Sequence, residues 1–507
     1  MLLGDIFRQN AMKFPDKTAL VYRDTKFSYL ELNRRLNRLA NALLAIGIEK
    51  GDRVAVLADN CSQYVEVYFA TAKAGMPIVP LNTALDIDGL SYIMNDSGAN
   101  TLIFGEKYLD VVNSMRPGIK MVKTYIVIGR AEGVESYEDL VSGYPPDEPE
   151  VAVDDDDTTW LLYTSGTTGP PKGVMLSHKT QIVDSANTIL TCFPINRSDI
   201  HLVILPLFHI GALWHMRCHF YMGNTIVLMD ARDPKLVLET IEREKITTLC
   251  FVPPMMVPII NHPDIDKYDV SSMRIMIYSG APLPEGLQRR MNQIFGDIII
   301  QVYALTEGGP GVIMPPLLEG SWEKVKRPGS CGKEAISVEV RLVSEEGEDC
   351  APGEVGEILA RGDNIMSGYW NMPEETAKTL EGGYLHTGDL ATKDEEGYYY
   401  ITGRKKDTIT SAGKAVYSPE IENIISLHPA ISEVAVIGVP HAELGEVVKA
   451  IVVLKAGGKA TEPEIIKWCS GKLEDYKVPK SVDIVPSLPK TPSGKVLKTV
   501  LRDRYSK

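Results

Sequence analysis

Cysteine is sparse and unordered in this sequence: seven residues, at 61, 192, 218, 250, 331, 350 and 469, odd in number and without a CxxC pair. That spacing excludes a disulfide framework and reads as reduced thiols in a cytosolic compartment. No apolar run approaches the ~20 residues needed to cross a bilayer. The start, MLLGDIFRQNAMKFPDK, lacks a basic region followed by an apolar one, so a soluble cytoplasmic protein with no transmembrane segment is expected. Positive charge is also short. Lys and Arg number 53 against 67 Asp and Glu, a net charge of −14, which argues against nucleic acid or an anionic membrane as a partner. The deficit is uneven, because from residue 403 onward 17 basic residues outnumber 12 acidic ones. A basic tail piece on an acidic body could receive an anionic cosubstrate or simply be a solvated surface. The zinc-protease pattern HExxH is missing too: His215 and His219 stand four apart without the intervening Glu, and zinc is not expected.

What the chain does have is YTSGTTGPPKGV at 163–174. Gly166, Gly169 and Gly173 let backbone N–H groups approach an anion. Thr164, Ser165, Thr167 and Thr168 add hydroxyl donors, and Lys172 adds a point charge on a flexible stem. The apolar residues 160–163 before it read as a strand, and a strand feeding a glycine-rich loop is a phosphate-binding layout of α/β proteins. The Walker pattern GxxxxGK[ST] is absent, since Lys172 follows Pro171 and precedes Gly173.

A chain of 507 residues exceeds one ordinary core and should divide into domains. An amphipathic helix is expected over 29–46. Short buried strands are expected at 54–57, 77–80, 101–104, 200–205, 225–229, 247–252, 274–278 and 298–302, with helical segments between several of them. Pro145, Pro146, Pro149 and four consecutive aspartates mark 144–157 as an exposed connector. After residue 322 the texture turns to glycine-rich antiparallel signals, such as 338–342 and 356–360, which suit a small barrel or sandwich. The polar run GRKKD at 403–407 marks the main boundary, giving domains 1–406 and 407–507, the second a small α+β lid.

Further motifs follow in order: PLFHIGALW (206–214), YSGAPLP (278–284), QVYALTE (301–307), YLHTGDL (384–390), GRKKD (403–407), SAGKAVYSPEIE (411–422) and PKTPSGKVLK (489–498). Together with the phosphate loop these resemble the adenylate-forming superfamily of acyl-CoA synthetases, aryl-CoA ligases, luciferases and peptide-synthetase adenylation domains, over nearly the whole chain. The resemblance implies an α/β fold: a large N-terminal domain of two doubly wound sheets plus a small β-barrel, and a small mobile α+β C-terminal domain. It implies that the loop 163–174 holds the β- and γ-phosphates of ATP. Tyr303 would stack on adenine beside Gly280, Ala281 and Pro282, Thr306 would touch the α-phosphate, and Glu307 with Thr164 would hold Mg²⁺. Asp389 and Arg404 would take the ribose hydroxyls, as a carboxylate can meet a vicinal diol with both oxygens. Lys495 would bridge the acid's carboxylate and the α-phosphate, and His209 would sit between the acid and thiol sites. The same resemblance makes Ser411, Ala412, Gly413 and Lys414 the CoA segment, with alanine at 412 where glycine is common, and Lys406 and Asp407 the hinge of a rotating lid.

The activity implied is an ATP- and Mg²⁺-dependent acid:CoA ligase with a fatty acid as the expected substrate. The alternatives are an aryl or 4-coumarate-type CoA ligase, a stand-alone adenylation enzyme loading a carrier protein, and a nucleotide-binding scaffold without turnover. Acid-pocket depth turns on Trp214, Ser279 and the small residues Gly308, Gly309 and Gly311, which are expected to open it, with Trp214 closing it. Oligomeric state is not legible.

Overall fold

The computed structural model describes residues 1–505 except 165–169, 193, 230–232, 281–282, 284, 320–321 and 491–495. Expectations for Ser165, Gly166, Thr167, Thr168, Gly169, Ala281, Pro282 and Lys495 therefore lie outside the described residues. Two large sheets dominate. The eight-stranded one runs Gly368–Tyr369, Lys172–Ser177, Thr158–Thr164, Ile78–Pro80, Val54–Leu57, Thr101–Gly105, Thr124–Ile128 and Glu135–Ser136. The seven-stranded one runs Ile299–Gln301, Ile275–Tyr278, Thr248–Phe251, Ile200–Val203, Thr225–Leu228, Thr18–Tyr22 and Thr25–Ser28.

Most pairings in both sheets are parallel, which demands helices on the faces and strands buried on both sides. The sequence obeys: Val54–Leu57, Thr248–Phe251 and Ile275–Tyr278 are buried at every position. The helix Tyr29–Ala45 shows how local chemistry sets an element's start. The Ser28 hydroxyl accepts from Glu31 N–H at 3.2 Å, while the Glu31 carboxylate accepts from Ser28 N–H at 2.8 Å, satisfying two donors that a helix start leaves orphaned. Its apolar stripe, Leu32, Leu36, Leu39 and Leu43, is wholly buried.

Residues 303–404 form the barrel-like part. A three-stranded sheet, Tyr303–Ala304, Gly311–Met314 and Lys333–Glu334, meets a four-stranded antiparallel sheet, Glu339–Val343, Gly356–Arg361, Leu385–Lys393 and Tyr399–Arg404, through a bridge between Gly332 and Tyr399. A separate five-stranded sheet draws all its strands from Ile409–Ser411 onward and has its own apolar core. The fold is thus α/β with a large N-terminal and a small C-terminal part. Among the described residues no helix is long and apolar enough to cross a membrane. Val496 bridges Lys490 and the last helix begins at Lys498, so Val496 and Leu497 belong to its approach.

Between the sheets lies a buried ion pair. Arg217, on the helix Ile210–Met222, and Asp184, on the helix His178–Thr191, are both fully inaccessible and joined directly. Ser185 Oγ accepts from Arg217 Nε at 2.7 Å, and Asp184 Oδ1 accepts from Gly311 N–H at 2.8 Å. Removing one partner strands the other charge in low dielectric. Asp184→Ala should therefore cost about 3–5 kcal/mol, read as a lowered urea midpoint at unchanged slope.

Candidate active site

In open parallel sheets ligands collect beyond the carboxyl ends of the strands, and the expected residues gather there. Thr164 ends one strand of the eight-stranded sheet and Lys172 begins the next, directly opposite it in register. Gly280 has φ +82° just past Ile275–Tyr278. Tyr303 follows Ile299–Gln301, and Thr306–Gly308 forms a single 3₁₀ turn.

Tyr303 and Asp389 are both more than nine-tenths buried, and the phenol donates to Asp389 Oδ2 at 2.7 Å. Arg404 lies directly across the antiparallel register from Asp389 and pairs with Oδ1 at 2.9 Å. The three residues expected at the nucleoside are thus one connected set. Asp389 lies within the strand Leu385–Lys393 at a register irregularity where Gly388 takes φ +68°; the Gly388 N–H donates to Glu357 Oε1 at 3.0 Å, while Lys405 meets Glu357 Oε2 at 3.1 Å. Glu357 is a buried carboxylate tying that irregularity to the residue before Lys406.

On the side expected to meet the phosphates, Tyr369 OH donates to Glu307 Oε1 at 3.0 Å. Lys172 pairs with Glu375 and stands 4.9 Å over the Tyr369 ring. The strand Gly368–Tyr369 is the edge partner of Lys172–Ser177, which fixes this arrangement through backbone bonds. Glu307 engages one oxygen with a hydroxyl, and among the described residues no cation pairs with it. A hard oxygen donor left in this way fits Mg²⁺, which accepts a carboxylate together with substrate phosphates and waters.

His209 occupies the N-cap position of Ile210–Met222. Burial lowers its pKa to about 4, so its imidazole is neutral at physiological pH. The segment leading to it is gripped from the other sheet: Asn60 accepts from Leu207 N–H at 2.8 Å and donates to Leu205 O at 3.0 Å and Met229 O at 3.1 Å. Tyr68 OH donates to Leu207 O at 2.8 Å.

A family model for AMP-binding enzymes matches residues 7–370, and a second, for the AMP-binding enzyme C-terminal domain, matches 420–495. The chain belongs to the AMP-binding enzyme family. Relatives include a feruloyl-CoA synthase of an Amycolatopsis species, 39% identical over 99% of both chains, and a long-chain-fatty-acid–CoA ligase of Mycobacterium tuberculosis, 35% identical over 99% of this chain and 98% of that one. A solved anthranilate CoA ligase in complex with anthranoyl-AMP superposes with a TM-score of 0.92, at 29% identity over 100% of this chain and 97% of that one. This AMP-binding enzyme is an AMP-forming acyl-CoA synthetase that uses ATP and CoA.

Several of the expected residues of the AMP-binding enzyme are closely packed. A Cβ on Gly308 would lie 2.6 Å from Val312 Cγ2, one on Gly309 1.8 Å from the Asn364 carbonyl oxygen, and one on Gly311 2.6 Å from Met314 Cε. These small residues admit the protein's own neighbours. Trp214 is buried, with its indole N–H donating to Thr188 Oγ1 at 2.8 Å. In the CoA segment, Ala412 adopts φ +51°, a left-handed conformation that costs an alanine more than a glycine, and Gly413 follows at φ +74°. The alanine therefore keeps the glycine-type turn. Ser411 is buried within its sheet, whereas Gly413 and Lys414 are exposed at the tip. Of the expected hinge residues, Lys406 and Asp407 lie in one 3₁₀ turn, and Asp407 pairs with Arg502 of the last helix at 2.9 Å.

The paired histidines are core. His201, His215 and His219 form a buried array, His201 on His219 at 4.3 Å between ring centroids. Among the described residues the only cluster of three metal-capable side chains is the exposed Asp154–Asp155–Asp156. Burial lowers His178 to about 4 and His219 to about 3, against ~6.5 in an unfolded chain. The unfolded state therefore binds protons that the folded state refuses, and stability must fall as pH drops below about 6.5, until the folded histidines themselves protonate. His178 Nδ1 accepts from Leu3 N–H at 3.1 Å. His178→Asn can retain that acceptor without titrating, so its urea midpoint should fall less between pH 7 and pH 5 than the parent's. Equal falls would assign the acid sensitivity elsewhere.

Proposed function

We propose that this enzyme joins a hydrophobic carboxylic acid to CoA in two steps on one site, with the residues assigned above in the stated roles. The observation that carries the reading is the convergence of Tyr303, Asp389 and Arg404 on one side and Lys172, Tyr369 and Glu307 on the other, around the carboxyl ends of two sheets. In the first step a carboxylate oxygen attacks the α-phosphorus of ATP, the bond to the bridging oxygen breaks, and pyrophosphate leaves with the electron pair. Asp389 and Arg404 hold the ribose, Tyr303 the adenine, and the loop 163–174 the departing phosphates. Glu307 and Thr164 would hold Mg²⁺, which when bound neutralises charge on the phosphate oxygens. Lys495 donates to the developing charge between carboxylate and α-phosphate. In the second step the CoA sulfur attacks the acyl carbon and AMP leaves, with the segment 411–414 in place of Lys495 after rotation at Lys406 and Asp407.

Fatty acid is the acid expected from the sequence, and the 35% identical long-chain ligase supports it. A compact aromatic acid is the second reading. It is favoured by the 39% identical feruloyl-CoA synthase and by the filled positions at Gly308, Gly309 and Gly311. Pyrophosphate release over a panel of saturated acids of rising length and hydroxycinnamates separates them. A preference that climbs with chain length supports the first reading, and a maximum on hydroxycinnamates the second. Lys495→Ala should lower adenylation at least ~10²-fold while sparing thiolysis of a supplied acyl-adenylate. Equal loss of both half-reactions would overturn the proposed division between Lys495 and the segment 411–414.

A further inference from the structure

The ammonium of Lys172, reserved by the reading above for the departing phosphates, is already engaged. It is paired with Glu375 and capped by the face of Tyr369. Glu375 sits in the first turn of the short helix Pro373–Thr379, more than 200 residues away in sequence but brought alongside by the edge pairing of Gly368–Tyr369 with Lys172–Ser177. The pair is partly open to solvent, with side-chain exposures of 26% and 39%. Such a pair is weak, and a polyphosphate forms a stronger charge-assisted contact with an ammonium. Any anion that takes Lys172 must first displace this carboxylate.

We propose that Glu375 is a positioning residue that stands in for phosphate: it holds Lys172 in place when the site is empty, yields it to the β- and γ-phosphates of ATP, and reclaims it as pyrophosphate departs. The proposal rests on the reading of 163–174 as the phosphate loop. Its consequence is a deliberate loss of affinity. A competitor inside the free enzyme reduces apparent affinity in proportion to the fraction of molecules whose lysine is free. Glu375 thereby weakens pyrophosphate retention and commits the adenylate to thiolysis. Tyr369 gives the exchange a geometry, because its ring face keeps Lys172 at one spot while its hydroxyl stays on Glu307. The ammonium can then change partners without leaving the site. A merely structural ion pair has the opposite signature: breaking it would loosen the strand and weaken every phosphate contact.

The test uses the full-length enzyme and measures the ATP KM, the pyrophosphate inhibition constant, kcat and the melting temperature for the parent, Glu375→Gln and Lys172→Gln. Glu375→Gln is isosteric and removes only the competing charge. The expected result is a pyrophosphate inhibition constant and an ATP KM lowered about 3-fold, in keeping with the modest worth of an exposed pair, with kcat reduced as product lingers. Lys172→Gln should raise both constants. If Glu375→Gln leaves them unchanged or raises them while Lys172→Gln raises them, the stand-in role is overturned and Glu375 only braces the fold. If Lys172→Gln moves neither constant, Lys172 does not meet the polyphosphate, and it is the underlying phosphate-loop reading that falls.

Discussion

A carboxylate with no access to water, Asp184, fixes the relative placement of three segments that the chemistry needs together. It faces Arg217 on the helix that begins after His209, and it accepts the N–H of Gly311, four residues after Glu307. A buried charge tolerates few alternative arrangements, because moving away from its partners leaves it unsolvated. The helix Ile210–Met222 and the turn carrying Thr306 and Glu307 are therefore registered against each other by a directed ionic contact, which adds to the apolar cluster shared by Trp214, Cys218 and Val312. Gly309 completes the constraint, since its Cα approaches the Asn364 backbone more closely than any side chain permits.

The two sheets are coupled separately. Asn60, after the strand Val54–Leu57, satisfies three backbone groups at the ends of two strands of the other sheet. A single amide thus binds the wall that leads to His209 to the sheet that carries Thr164 and Lys172. The surroundings of Lys172 are assembled differently again, from residues far apart in sequence that meet through strand-edge pairing and one aromatic face.

Much of this was legible in the sequence, because parallel strands buried on both faces leave continuous apolar runs: 54–57, 101–104, 200–205, 225–229 and 274–278 all emerged close to their observed bounds. Tyr303, Asp389 and Arg404 were legible through motifs. Tyr369, Glu357, Glu375 and Asn60 were not, since each acts through a partner at long sequence distance and leaves no local period. Glu375 in particular reads locally as an acidic residue in a helix's first turn, where the macrodipole alone would explain it. The glycines at 308, 309 and 311 were legible only in kind: small residues signal close approach, but the sequence does not say whether a ligand or the chain itself does the approaching.

The pair between Asp407 and Arg502 carries a consequence for energetics. A rotation about the Asp407 Cα–C bond would draw Arg502, on the helix Lys498–Tyr505, away from it. Both side chains are about four-fifths covered, yet such a pair near a surface is worth on the order of 1 kcal/mol, comparable to thermal energy at 25 °C. If the chain turns at this bond, the contact would work as a detent: firm enough to define one resting angle, shallow enough for Brownian motion to pass. Reorientation at this turn would then need no share of the free energy of ATP cleavage, all of which would remain in the thioester and the released pyrophosphate.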